Sequence, residues 1–518
     1  MNMKKLSVIL VTVAALILLL SVHGLQGNPT VDNLSEKRWK DDGPFEAQRS
    51  RFALTYSLIE DKSVSFSEDI ARFSLPDLGY KNGKYVSIFA PGVSFLSIPG
   101  YLLGRLFGAS QFGAFLTAAV FAILNVILIR LIANKLGAKD LPATIAALIF
   151  LFATPAFSYA TTLFQHHIST FLILASIYTL LMTNSFKGHV FIWFLYALSI
   201  TVDYPNGFMM LPIIVFSIGR LIKRKIVNNN LKVIFHFGKS AALIGIVPVL
   251  ILFLWFNWSS YGNPLQLAGT VDGVYEIDFK GRPILTRYIV QPDTNENKIE
   301  SLGGNTFLGF FKTRNLINGL YVHLISPDRG VIIYTPIILF GILGFKYLGK
   351  SHSKFSALFI SIIGINVILY SMWGDPWGGW AFGSRYLIPS YAVLAILTSF
   401  VLNNYRRNVM FLVIFYLVLA YSAGVNTLGA VTSNSNPPKI EAQALSARFN
   451  KDEKYTYQRN WEMINQNKSK SFFFNSIASN YLSAWDYFVI TSTLVLITIT
   501  SPIVYLYISE GERRKLFK

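Results

Sequence analysis

Apolar runs of about 18 residues recur along the whole chain, separated mostly by short connections rich in Lys and Arg. Each run is long enough to cross a hydrocarbon core of about 30 Å as a helix. Spans are expected near 6–24, 112–134, 141–158, 167–183, 189–202, 206–222, 239–258, 331–348, 355–373, 386–403, 408–426 and 486–508. The pattern therefore predicts an all-α polytopic membrane protein with about twelve transmembrane helices.

Three connections are too long to be turns: 25–111, 259–330 and 427–485. In the first, "DDGPFEAQRSRFALTYSLIED" places Phe52, Leu54, Tyr56, Leu58 and Ile59 among charged residues, the pattern of an amphipathic helix lying in the membrane interface. The stretch from Pro91 to Gly108 is apolar but interrupted by Pro91, Pro99 and glycines, which predicts a broken, re-entrant or interfacial segment. The organisation reads as a catalytic transmembrane region over 1–426, an outer loop over 427–485, and a last span with a basic tail over 486–518. No internal repeat or low-complexity tract interrupts it.

Composition agrees: 53% of residues are hydrophobic, only 14% are charged, and the mean hydropathy is +0.45. Soluble proteins carry about 25% charged residues. The net charge of +19 changes the picture only through its placement. With the N-terminal "MNMKK" in the cytoplasm, the same side receives Lys135, Lys139, Lys187, Arg220, Lys223, Arg224, Lys225, Lys232, Lys346, Lys350, Lys354, Arg406, Arg407 and the tail "GERRKLFK". Of the 27 Asp and Glu residues, only Asp140, Glu510 and Glu512 join them. The basic excess is a topology signal, with both termini cytoplasmic, and not a nucleic-acid patch. The first apolar run lacks a small-x-small cleavage site after it, so it reads as a retained span. With no cysteine in the chain, disulfides, thiolate metal sites and a Cys nucleophile are excluded.

Polar residues gather at span ends: Asp41, Asp42, Glu46, Arg49, Arg51 and Asp77, then His166 and His167, Asp203 and Tyr204, Asn257, Tyr261 and Asn263, Asp328 and Arg329, Asp375 and Arg385. The topology puts all of them on the outer side. Transporters place ionisable groups near the bilayer midplane, often on repeated broken helices. A one-sided cluster instead suits an active site at the membrane–water boundary. Each residue has a simpler role as well. Asp203 can end a helix before Pro205, Asp328 and Arg329 can form a turn pair, and the paired histidines can cap a span.

The ordered series "APG…IPGYLLG", "YATTLFQHH", "SYGNPLQLAG", "LISPDRGVIIYTPIIL" and "DPWGGWAFGSRYLIP" resembles the GT-C membrane glycosyltransferases. The likeness is to their dolichyl-phosphate-mannose mannosyltransferase and aminoarabinose-transferase branch, over about residues 1–405. The resemblance implies inverting transfer of a sugar from a polyprenyl-phosphate donor to a hydroxyl of a lipid, glycan or protein acceptor, at the outer face of the cell membrane. It implies a general base in the first outer loop: Asp42 first, then Glu46, Asp41 and Asp77. Arg385 and Arg329, with His166 or His167, are expected to hold the lipid phosphate, because guanidinium binds such oxygens through a planar fork. Asp375, Trp377, Trp380, Asp328, Asp203 and Tyr261 are expected to orient these groups or meet the sugar or acceptor. No cofactor is expected, and a divalent metal is not favoured. A lipid-linked saccharide flippase or exporter, and a ligase or polymerase of the O-antigen kind, are the alternatives. The first would carry cations through a channel; the second would shift the chemistry to 427–485.

Overall fold

A computed structural model describes residues 3–40, 49–220, 222–227, 230–235, 241–286 and 307–516. Among them, six helices are long and apolar enough to cross a membrane: Ser110–Lys135, Ala241–Tyr261, Ser353–Ser371, Arg385–Tyr405, Val409–Val431 and Ala484–Ile508. Five shorter apolar helices, Lys5–Ser21, Asp140–Phe152, His166–Met182, Phe186–Val202 and Asn206–Gly219, fall where spans are expected. The Arg385–Tyr405 helix is the axis of the bundle, with 89% of its apolar window covered by protein. Ala241–Tyr261 is covered over only 28% of its window and faces outward.

The expected span at 331–348 is not one α-helix. One turn, Val331–Tyr334, is followed by a 3-10 run, Pro336–Gly344, and then by Phe345–Ser351. Pro336 cannot donate the hydrogen bond that would continue the first turn. Gly341 and Gly344 then let the tighter coil press onto the backbone carbonyls of Leu394 and Leu397 in the axial helix.

The apolar stretch after Pro91 also departs from expectation, because it forms one unbroken helix, Gly92–Leu106, with Pro99 inside it. Its glycines are packing positions and not breaks. Gly100 and Gly104 lie against Gly113 of the next helix so closely that any Cβ would strike backbone. Gly108, at φ +66°, makes the reversal between the two helices. The Arg49–Tyr56 helix has no exposed polar face of the amphipathic kind: every residue from Ser50 to Tyr56 is buried by protein. It packs against the Glu68–Ser74 and Gly92–Leu106 helices, where Thr55 Oγ1 meets Ser97 Oγ at 2.7 Å and Ser94 Oγ donates to the Arg51 carbonyl at 2.8 Å.

The chain is not wholly α. Strands β1 (Leu78–Lys81) and β2 (Lys84–Ser87) form a hairpin, β3 (Ile222–Val227) and β4 (Asn230–Phe235) form a second, and β5 (Asp272–Ile277) and β6 (Pro283–Leu285) form a third. The first and third join in one antiparallel sheet of order β2-β1-β5-β6. Asn82 and Gly83, both at positive φ, turn the first hairpin as "NG" pairs do. Tyr261, buried at the end of the Val247–Tyr261 helix, donates to the Ser87 carbonyl at 3.1 Å and ties this sheet to the bundle.

Candidate active site

The loop after Trp373 is folded by Asp375, whose carboxylate accepts the backbone N–H of Trp377 at 3.1 Å and of Gly379 at 2.5 Å. Gly378 and Gly379 take positive φ, so three successive carbonyls point to cations. Arg329 Nε donates to the Trp377 carbonyl at 3.1 Å and its Nη2 to that of Gly379 at 3.1 Å. Arg385 Nη2 donates to the carbonyl between them, Gly378, at 2.7 Å. Arg329 also holds the carbonyls of Asp328 and Asn436, so its fork is committed to backbone.

Arg385 is different. It is buried to 8% exposure, stacked over Phe164 and Tyr386 at 5.3 Å each, and its Nε and Nη1 have no hydrogen-bonded partner. Beside it lies His166, packed on Phe164 and at the edge of Tyr386, with its Nε2 likewise unpartnered. Buried donors left open in this way each cost about 1–3 kcal/mol, which an incoming acceptor would offset.

A carboxylate closes the other side. "TVDYPNG" ends the Phe186–Val202 helix with Asp203 in extended backbone, and Asn206 begins the next helix two residues after Tyr204. Gln165 Nε2 and the Tyr370 hydroxyl both donate to Asp203 Oδ2, each at 3.4 Å. Among the described residues, Oδ1 accepts no hydrogen bond, and it is not fully enclosed by protein. Asp203, Tyr204 and Tyr386 lie deep in the protein yet keep part of their surface uncovered, so they line an internal cleft. Tyr370 and Tyr386 stack with centroids 4.3 Å apart and form one wall. Burial raises the Asp203 carboxyl above the ordinary carboxylate range, against the opposing pull of Arg51 and Arg385. Arg51, 2% exposed and over the Phe89 ring at 4.5 Å, is pulled down by burial to about 10, with Asp203 and then Asp77 opposing.

Of the expected site residues, Arg385, His166 and Asp203 converge on this cleft, and Asp77 lies close enough for its charge to act on Arg51. Asp41, Asp42 and Glu46 lie outside the described residues. His167 is turned away, with Nε2 on the Ala156 carbonyl at 2.7 Å and Asn125 against its ring. Asp328 accepts from Ser326 within its own turn. Trp377 contributes its backbone to the Arg329 and Asp375 contacts, and Asp375 reaches Arg385 through the fold of the loop and not by an ion pair. Trp380 donates to Glu441 at 2.6 Å and lies under Arg459, 4.8 Å from its ring. Tyr261 serves the sheet.

Sequence reading singled out Arg51 without giving it a role, and missed Gln165, Tyr370 and Tyr386. It also missed the support given by "TSNSNPP" at 432–438. There Asn436 exchanges backbone hydrogen bonds with Ala381, and Asn434 Nδ2 donates to Thr162 Oγ1 at 2.7 Å. A polar run of this kind that is buried throughout, from Thr432 to Asn436, must be satisfied by neighbours; the burial, not the composition, was invisible in sequence. No group of three or more His, Asp or Glu able to hold a metal ion occurs among the described residues.

No protein-family model matches this chain, and no curated protein does. Among solved structures, ArnT from Cupriavidus metallidurans in the apo state is similar, with a TM-score of 0.46 and 14% identity, covering 95% of this chain and 76% of that one. The same protein bound to undecaprenyl phosphate gives a TM-score of 0.46 and 14% identity, covering 95% and 77%.

Proposed function

We propose that this chain is a membrane glycosyltransferase of the GT-C type. It moves a sugar from a polyprenyl-phosphate donor to an acceptor hydroxyl at the outer face of the cell membrane, with inversion. The observation that carries this reading is the buried Arg385 guanidinium near Asp203, whose Nε and Nη1 are enclosed by protein without a hydrogen-bonded partner. A buried cation with two free donors is built to receive an anion, and a phosphate presents two oxygens to that fork. The surrounding apolar helices suit an anion that arrives on a lipid.

In this reading the acceptor oxygen attacks C1 of the sugar as a carboxylate takes its proton. The C1–O bond breaks and its electrons stay on the lipid phosphate, which is stable as an anion and needs no strong general acid. Arg385 and His166 donate to the departing oxygens. The resemblance assigns the base to Asp42, Glu46, Asp41 or Asp77.

The test uses the full chain in lipid nanodiscs. Undecaprenyl phosphate is expected to bind, and Arg385→Gln to weaken binding by about 10-fold or more, the loss of one charge-assisted pair. Wild-type affinity in Arg385→Gln would sink the assignment. Translocation of the lipid-linked sugar without its cleavage would favour a flippase.

A further inference from the structure

Asp203 is a buried carboxylate that the first-loop assignment leaves without work. Four features of its surroundings give it some. Both protein donors, Gln165 Nε2 and the Tyr370 hydroxyl, go to Oδ2 alone, at 3.4 Å each. Oδ1 is therefore free to meet a ligand in the cleft. The backbone that presents it is fixed: the Asp203 N–H donates to the Ser199 carbonyl at 3.0 Å, and the Asn206 N–H donates to the Asp203 carbonyl at 3.0 Å. Finally, the groups around it are donors: Arg51 from the buried Arg49–Tyr56 helix, Arg385 from the head of the axial helix, and the hydroxyls of Tyr370 and Tyr386. A carboxylate pinned through one oxygen, with the other open to a ligand, is arranged as a proton acceptor.

We propose that Asp203 is the general base of the transfer, its Oδ1 accepting the proton of the acceptor hydroxyl while Arg385 and His166 face the departing phosphate. This rests on the transferase reading above and departs from the first-loop base that the resemblance implies. The acceptor O–H bond breaks, its proton goes to Asp203 Oδ1, and the oxygen bonds to C1. The C1–O bond to phosphate breaks in the same step and leaves its electron pair on the phosphate. Gln165 and Tyr370 hold the carboxylate in place, and the Arg51 charge opposes the neutralising effect of its burial.

The experiment uses the full chain in nanodiscs with two probes. Undecaprenyl phosphate alone reports donor-lipid binding. Synthetic undecaprenyl-phosphate mannose and undecaprenyl-phosphate glucose, with membrane extract as acceptor, report turnover. Asp203→Asn is expected to hold the lipid phosphate within about 2-fold of wild type and to lose kcat by about 100-fold or more, the usual contribution of a positioned base. Asp203→Glu should recover part of kcat without changing binding. An Asp203→Asn protein that turns over at the wild-type rate overturns the proposal and leaves the transferase reading standing. Loss of lipid binding in both variants would make Asp203 structural and overturn it too. A wild-type chain that binds the lipid and cleaves neither donor sinks both readings.

Discussion

Arg385 and Arg329 look alike in sequence, each at the head of an apolar run, each within two residues of a glycine. The structure separates them by counting acceptors. Arg329 spends four of its five N–H groups on backbone carbonyls, whereas Arg385 spends one and leaves Nε and Nη1 unmatched, so Arg385 has more to offer a ligand. Arg329 holds the carbonyls on either side of the one that holds Arg385. Arg329→Ala should therefore lower thermal stability, by about 3 kcal/mol or more given several carbonyls left unsatisfied. It should also weaken undecaprenyl phosphate binding, although Arg329 meets no ligand. A melting curve and a binding isotherm on the same sample check both. Asp203 gives a second expectation. Because burial raises its pKa, turnover should fall as pH drops through a value above the ordinary carboxylate range, and Asp203→Asn should erase that limb. The same shift means that the protonated form stabilises the fold, a contribution present below the unfolded pKa and lost as pH rises through the folded one. Asp203→Asn should thus melt higher than wild type at neutral pH, the reverse of what a purely structural ion would do.

Periodicity located nearly every apolar element, because the length of an apolar run is set by the membrane and survives without tertiary information. It failed where backbone contacts decide. Gly100 and Gly104 read as breaks, since nothing in sequence says that another glycine, Gly113, will face them. Gly113→Leu should force the Gly92–Leu106 and Ser110–Lys135 helices apart and destabilise the protein by several kcal/mol, as overpacking against backbone does; a drop in melting temperature is the readout. The Arg49–Tyr56 helix was legible as a helix but not as a buried one. The hairpin at "KNGK" was legible outright, through its Asn-Gly turn, and was passed over in favour of an all-α reading. The 427–485 segment is an element of the site's support: Asn436 pairs with Ala381, Glu441 takes the Trp380 indole, and Ser471 Oγ donates to Leu20 at the end of the first span at 2.6 Å.

For the whole molecule, the cleft lies where helices end: His166 opens its helix, Asp203 follows the Phe186–Val202 helix, and Arg385 heads the axial one. Which side of the membrane the cleft faces is readable by labelling, and the lack of native cysteine makes single-cysteine variants clean probes. Lys451→Cys should react with an impermeant maleimide in intact cells and Arg407→Cys should not; the opposite pattern would invert the topology and put the cleft in the cytoplasm. The convergence itself was beyond sequence. Arg51, Asp203 and Arg385 are far apart in the chain, and only the fold shows that one open carboxylate and two buried guanidiniums share a cleft.

The sheet that joins β1 to β5 has a temporal meaning. Its strands lie on either side of several apolar helices, so β1 has no partner on that edge until the Val247–Tyr261 helix has been inserted and β5 has followed it out of the ribosome. Arg385 and Tyr386 arrive later still, and the Asn436 segment that braces their loop comes last. Early in synthesis, then, Asp77 is the carboxylate at hand for Arg51, and Asp203 joins it before Arg385 exists. A chain that stalls before residue 385 would present the Asp203 cleft without its second guanidinium to the insertion and quality-control machinery, which makes biogenesis, as much as catalysis, a constraint on where these charges sit.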